Sequence, residues 1–335
     1  MRLTGPEGSR VAGYAGLASC GSKSCPVCAA KIGSQHAADI SHVVNKVHTE
    51  GGCAALLTFT LAHRRGQRLS VLWDALTYAW SRVTSGRAYS AEINRYGITG
   101  WINAVEVTVG DHGWHPHRHV LVLFDGPLSV EMIESLADHW FGRWQRALTR
   151  KGFHAIEHRG LDVRKVAPDG SGALGTYLSK IAHEVSCSPT KRARGTSRTP
   201  FQVFADFLAT GLVEDYELWT EYEQTAQRRK MLTWAEGTRQ RYGMTKEERE
   251  EEIARRDMGG EDVLALPAKT WRAIRDESEQ LLEAAEHGGV TAAVAWLDSR
   301  SLAWSWARPA KPLPPPPGAR VAPGSRELLA VGARR

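Results

Sequence analysis

Three histidines and one glutamate in a short stretch have the residue types of a divalent-metal site. His115, His117 and His119 are two residues apart, so in a β-strand their side chains project from one face of the sheet. An alternating run that begins at Glu106 precedes them across a glycine-containing turn, which predicts a β-hairpin over residues 106–124. Imidazole and carboxylate groups on one face are suitable ligands for a divalent ion.

The register of this hairpin decides which side chains meet. A two-residue loop at 112–113 places Glu106 opposite His119 and Thr108 opposite His117. A slip of one residue would move the carboxylate to the other face. The prediction that Glu106 shares the histidine face therefore depends on the register.

A second candidate metal site is a knuckle of three thiols, Cys20, Cys25 and Cys28. Cysteines separated by two residues can both bind one zinc ion, because the turn between them directs both sulfurs inward. We expect structural zinc here, and the alternative is a reduced cysteine-rich loop without metal. A tetrahedral site needs one more ligand, and the sequence offers four candidates: His36, His42, His48 and Cys53.

The composition indicates a globular, mildly basic protein. The chain has 335 residues, 42% of them hydrophobic, and a formal net charge of +6, which is compatible with a nucleic-acid partner. No apolar run approaches the roughly 20 residues of a membrane span, and the N-terminus lacks the apolar core of a secretory signal. Five cysteines, three of them clustered, suit a reducing compartment. We therefore expect a cytoplasmic protein with no membrane partner.

Hydrophobic periodicity predicts an antiparallel sheet with helices packed against it. A continuous apolar run over Cys53–Leu61 has the length of a central strand buried on both faces, and another strand is predicted over 160–166. Helices are predicted over 29–50, over 70–85 and from the N-cap Ser129 to about residue 150. This order of elements predicts an α+β fold.

A later helix, predicted over residues 171–186, carries Tyr177, Lys180 and Glu184 within an arc of about 60° at the edge of its apolar stripe. A tyrosine at such a boundary is usually a packed residue whose hydroxyl reaches water. The helix alone therefore predicts packing rather than catalysis.

A basic segment without acidic residues follows at 189–200. Its composition suits contact with a phosphate backbone, and equally a solvated linker. The cations are Lys191, Arg192, Arg194 and Arg198. Beyond it, 201–242 is predicted to be largely helical, 268–304 holds one or two further helices, and the proline-rich end from 309 is predicted to be disordered.

Three of these motifs occur together in one known family. They are the strand Leu57–Leu61, the run His115–Leu121 with Glu-Val-Thr upstream, and Tyr-x-x-Lys at Tyr177–Lys180. In this order and spacing the chain resembles the rolling-circle replication initiators of bacterial plasmids, which are HUH endonucleases. It is most similar to the single-tyrosine type from Gram-positive bacteria, including actinobacteria. The likeness covers roughly residues 14–240 and includes the cysteine knuckle and the basic segment.

The resemblance implies an HUH fold and a DNA nicking and joining activity. Tyr177 would form a 5′-phosphotyrosine with single-stranded or supercoiled origin DNA and leave a free 3′-hydroxyl primer, so that a host helicase and polymerase are expected partners. Lys180 would stabilise the phenolate or a phosphate oxygen.

The resemblance also implies Mn²⁺ or Mg²⁺ at the nuclease site, held by His117, His119 and Glu106, with His115 in a lesser role. One position departs from the family. A glutamate four residues before the tyrosine is thought to help a water molecule end the cycle, and here that position is Ala173. Glu184, on the same helix face, is the candidate substitute.

The predicted organisation is a zinc-binding segment (1–50), an HUH nuclease domain (51–188), a basic segment with a helical C-terminal region (189–308) and a disordered tail (309–335). Two other functions fit the same motifs. An HUH transposase or conjugative relaxase would use the same site. A non-enzymatic, zinc-containing DNA-binding regulator would use the histidines only structurally.

Overall fold

The computed structural model of the protein describes residues 1–4, 11–15, 20–157, 159–166, 197–227, 229–245, 247–255 and 261–307. The chain divides into two compact units, one formed by residues 19–257 and one by residues 1–18 together with 258–335. This division differs from the predicted segments, because an N-terminal strand pairs with a strand near residue 261.

Strands and helices are numbered here in chain order. The described strands are β1 (Arg2–Thr4), β2 (Val11–Gly13), β3 (Cys53–Thr60), β4 (Ile98–Gly110), β5 (Gly113–Phe124), β6 (Leu161–Val166), β7 (Leu232–Trp234), β8 (Glu261–Asp262), β9 (Leu264–Ala265) and β10 (Ser305–Trp306). The described α-helices are α1 (Pro26–Thr49), α2 (Leu69–Val83), α3 (Gly86–Tyr96), α4 (Val130–Thr149), α5 (Pro200–Thr210), α6 (Val213–Gln227), α7 (Thr238–Arg241), α8 (Glu250–Arg255), α9 (Ala268–Ile274) and α10 (Ser278–Ser299).

The larger unit is built on a five-stranded antiparallel sheet in the order β6-β3-β5-β4-β7. The predicted antiparallel α+β architecture is confirmed. Strand β3 is apolar and buried along most of its length, as expected for a strand with neighbours on both sides. The predicted cap of α4 is also confirmed, because the Ser129 side chain accepts a hydrogen bond from the Met132 backbone N–H.

The two faces of this sheet are covered differently. One face packs against α2 and α4, whose tryptophans Trp73, Trp140 and Trp144 are fully buried with Phe59. On the other face, α1 contributes an apolar stripe that covers only the end of the sheet away from the hairpin turn. The residues in that contact include Ile40, Val43, Val44, Val47, Ala54, Leu56, Leu121 and Leu123.

Two elements of the larger unit differ from the sequence prediction. Helix α3 was not predicted, and residues 201–242, predicted to be largely helical, contain strand β7. This strand has three residues and pairs with Ile102–Ala104 at the sheet edge. So short a strand shows no alternation of its own, and its pairing partner lies far away in sequence.

The smaller unit joins the first residues of the chain to its later part. Strand β1 lies between β2 and β8, and β9 pairs with β10. Its core includes Leu3, Leu264 and Leu281. Helix α10 is interrupted at Gly289, whose φ of 67° lies in the left-handed region that glycine tolerates. The one or two further helices predicted for 268–304 are confirmed by α9 and α10. Among the described residues, no helix combines the length and apolarity that crossing a bilayer requires.

Glu221 on α6 ties the hairpin to α2. Its Oε2 accepts from Trp114 Nε1 at 2.8 Å, and its Oε1 accepts from the Leu69 backbone N–H at 2.7 Å, at the start of α2. Trp114 is 3% exposed, so its indole N–H relies on this protein acceptor.

We predict that Glu221→Ala destabilises the protein by about 1–3 kcal/mol, because it leaves a buried indole N–H unpaired. Thermal unfolding followed by circular dichroism measures this as a lower Tm. The control is Glu217→Ala, an exposed position one helical turn earlier, which should unfold close to wild type. Equal Tm values for the two variants would contradict the assigned role of Glu221.

Candidate functional site

The hairpin register differs from the prediction by two residues. Glu106 lies opposite His117 rather than His119, because the turn is at 111–112. Gly113, expected inside the loop, follows it with a φ of 85° and pairs with Gly110. Since a shift of two residues preserves the face, the prediction that the carboxylate shares the histidine face is confirmed.

His119 is bonded through both ring nitrogens. Its Nε2 lies 2.7 Å from Glu106 Oε2, and its Nδ1 lies 3.0 Å from Thr58 Oγ1 on β3. The residue is 8% exposed. An ionised carboxylate only accepts, so Nε2–H donates to Glu106. The ring is thus held between β3 and β4, with Nε2 directed at the carboxylate.

The other histidines continue a row toward the hairpin turn. Ring centroids are 6.1 Å apart between His119 and His117, 4.0 Å between His117 and His115, and 4.5 Å between His115 and His63. Burial, and after it the neighbouring His63, lower the pKa of His115 to about 4, so the ring is neutral near pH 7. His63 was not among the predicted site residues. The signal that could have identified it is its position two residues after the strand motif Leu57–Leu61.

This face offers a donor set that fits a divalent cation. Glu106 is the shared neighbour of the two predicted imidazole ligands, opposite His117 in the register and in contact with His119. Nitrogen and oxygen donors together suit Mn²⁺ or Mg²⁺. The donor atoms of Glu106, His117 and His119 do not form as close a group as the thiols of Cys20, Cys25 and Cys28 do. Helix α1 covers the apolar end of the same face, and the histidines lie beyond that contact.

The three cysteines converge at the start of α1. Their sulfurs all lie within 4.8 Å of one another, and Cys20 Sγ is 3.7 Å from Cys28 Sγ. Cys25 is the N-cap residue, Cys28 lies in the first helical turn, and Gly21 adopts a φ of 77° where the chain turns back. Burial raises the pKa of the Cys25 thiol. Within the described part of the chain this is the one such group of three potential metal ligands.

The fourth ligand is not supplied by any of the predicted candidates in this arrangement. Within the described ranges, none of the four belongs to the thiol group: His36, His42, His48 and Cys53. His42 Nε2 is instead 3.2 Å from the Tyr242 carbonyl oxygen. Cys53 is 4% exposed in the sheet core.

Most of the predicted catalytic and basic residues lie outside the described residues. These are Tyr177, Lys180, Glu184, Lys191, Arg192 and Arg194. Arg198 is described, and its guanidinium forms ion pairs with Asp206 at 2.9 Å and Asp215 at 2.7 Å. The bond to Asp215 raises the pKa of Arg198. The backbone of Arg198 also forms hydrogen bonds with the backbone of Val109 at the end of β4, so Arg198 helps to hold the hairpin in place.

Comparison with known proteins decides the family. A family model described as "Replication protein" matches residues 14–272. The chain belongs to this replication protein family. It is 29% identical over 288 residues to "Protein rep" of Streptomyces lividans, which covers 66% of this chain and 62% of that protein. It is 31% identical over 159 residues to "Neomycin resistance protein" of Streptomyces cyanogenus, covering 37% of this chain and 36% of that one.

The chain thus spans less than two thirds of the length of either relative. No solved structure matches it significantly. The family match includes the cysteine knuckle, the histidine hairpin and Tyr177. These three features therefore belong to one family segment.

We propose that the thiol group binds structural zinc, which predicts about one equivalent of metal in the purified protein. Elemental analysis should show that Cys28→Ser loses this zinc, because two thiolates remain where three were grouped. Cys53→Ala, which removes a core thiol outside the group, should retain it. Zinc retained in Cys28→Ser, or zinc lost in a folded Cys53→Ala, would contradict the assignment.

Proposed function

We propose that this replication protein initiates plasmid replication by nicking single-stranded origin DNA and attaching to it covalently. The observation that supports this most directly is the contact between Glu106 and His119 on the face that also carries His117. A carboxylate and two imidazoles at one end of a sheet face would hold a divalent ion, which would supply the electrophile for a phosphodiester. The resemblance of the motifs supplies the nucleophile, Tyr177.

In the proposed reaction the Tyr177 hydroxyl oxygen attacks the scissile phosphorus. A bond from phosphorus to the tyrosine oxygen forms, and the bond from phosphorus to the 3′-oxygen breaks. The phenol releases one proton and the departing 3′-oxygen takes one up, so the products are a 5′-phosphotyrosine and a 3′-hydroxyl. A phenol with an ordinary pKa near 10 is also a competent leaving group, so the step can run backward and rejoin the strand.

The remaining roles follow the chemistry of each side chain. A divalent ion held by His117, His119 and Glu106 would polarise the phosphate and offset its developing charge. Lys180, three residues after the tyrosine in sequence, would stabilise the phenolate. His115 lies next to His117 and is neutral near pH 7, which suits a neighbour of the ligands.

The proposed fold is that of the HUH endonucleases. The arrangement of the sheet supports it, because the histidine strand β5 lies in the middle, between the strand of the first motif and the strand of Glu106. The similarity to a Streptomyces protein named "Protein rep" supports a replication role for the nick.

Three further roles are part of the proposal. Glu184 takes the place of the glutamate missing at Ala173 and activates the water that ends the cycle. Lys191, Arg192 and Arg194 bind the DNA backbone. The free 3′-hydroxyl serves a host polymerase, with a host helicase opening the duplex.

The nucleophile assignment predicts that Tyr177→Phe forms no covalent protein–DNA adduct. Incubation with single-stranded origin DNA and Mn²⁺, followed by denaturing gel electrophoresis, measures the adduct directly. Tyr216→Phe is the control, an exposed tyrosine on α6 that should leave the adduct unchanged. A normal adduct yield in Tyr177→Phe would overturn the assignment.

The metal assignment predicts that His117→Ala and His119→Ala each lose nicking by at least about 100-fold, the upper end of what removing a mere ligand-orienting partner costs. DNA binding, measured by fluorescence anisotropy, should remain, because phosphate contacts by cationic residues carry most of it. His154→Ala, at an exposed histidine, is the control. Metal-insensitive binding without nicking in the wild type would instead favour the non-enzymatic regulator.

A further inference from the structure

Thr58 contacts the ring nitrogen of His119 that faces away from Glu106. The two residues are directly opposite each other in the pairing of β3 with β5. Thr58 Oγ1 lies 3.0 Å from His119 Nδ1. The Thr58 side chain is on the same face of the sheet as the histidines and is partly buried. The hydroxyl is thus placed by the register of the central strands.

The hydrogen-bond roles follow from what each atom can do. Glu106 accepts from Nε2–H, so in the neutral ring Nδ1 carries the lone pair. The Thr58 hydroxyl must then donate to Nδ1. When a cation takes the lone pair of Nε2, the single ring proton has to reside on Nδ1. The same hydroxyl can then accept, because it is both a donor and an acceptor.

We infer that Thr58 is a positioning residue that holds the His119 ring with Nε2 directed at Glu106, whether or not a cation is bound there. This inference rests on the proposed metal-dependent function. Metal-binding histidines generally donate their second ring N–H to a fixed partner, and loss of that partner weakens metal affinity or activity by about 10–100-fold. In this chain the hydroxyl on the neighbouring strand is that partner.

The burial of His119 makes its hydrogen bond to Thr58 important for the orientation of the ring. His119 is 8% exposed, so a ring nitrogen that loses its partner has little access to water. A valine at position 58 has nearly the shape of threonine but cannot form the bond. The ring would then be free to rotate away from Glu106, and Nε2 would be directed at the cation for only part of the time.

The same strand offers a matched comparison at Thr60. It lies on the same face and is opposite His117 in the register. Its hydroxyl, however, donates to the Arg159 carbonyl oxygen at 3.4 Å, rather than to a histidine. Thr60→Val therefore makes the same chemical change on the same strand and face without removing a bond to an imidazole.

The test is Mn²⁺ binding to the full chain, followed by the electron paramagnetic resonance signal of the free ion. We expect Thr58→Val to raise the Kd by about 10–100-fold. Thr58→Ser, which keeps the hydroxyl, and Thr60→Val should bind like wild type. The ¹⁵N resonance of His119 Nδ1 in metal-free protein provides a second readout, and it should move in Thr58→Val but not in Thr60→Val.

The outcomes separate this inference from the proposed function. Wild-type Mn²⁺ binding that His119→Ala abolishes and Thr58→Val leaves unchanged would overturn the role of Thr58 alone. A wild-type protein that binds no Mn²⁺ would overturn the metal-dependent function, and the metal-related role of Thr58 with it. An Nδ1 resonance that is the same in wild type and Thr58→Val would show that the hydrogen bond does not form.

Discussion

The site depends on the pairing of β5 with a different strand on each side. Thr58 from β3 and Glu106 from β4 reach the two nitrogens of one imidazole, His119, which lies between them. These three residues are far apart in sequence, and only the sheet register brings them together. A slip of one residue in either pairing would turn one partner to the other face and leave a buried ring nitrogen unbonded.

The alternation of side chains explains why a reactive face can exist on a well-packed sheet. On β5 the residues at one parity, including Val120 and Val122, face the large core under α2 and α4. At the other parity, Leu121 and Leu123 pack beneath α1, while the histidines nearer the turn extend past the end of that contact. The same strand therefore packs in the core and carries the histidines, so packing of the core also fixes the positions of the histidines.

How much of this was predictable depends on the range of the interactions. The histidine spacing, the buried strand β3 and the Ser129 cap are local patterns, and each was read correctly from the sequence. The hairpin register was two residues off, because the turn used Asp111 and His112 and left Gly113 in the strand. The bond from Thr58 could not be predicted without knowing that β3 and β5 are neighbours. Strand β7 pairs with β4, and β1 pairs with β8. Both pairings join residues that are still further apart in sequence.

The two candidate metal sites also differ in how far apart their residues are in sequence. The three thiols lie within nine consecutive residues, because Cys25 and Cys28 are three residues apart and Gly21 allows Cys20 to fold back. Cys28 also packs against Ile253 and Ala254 on α8, so a segment distant in sequence supports the thiol group. The histidine face needs β3, β4 and β5 aligned, so its metal affinity is coupled to the folding of the whole larger unit.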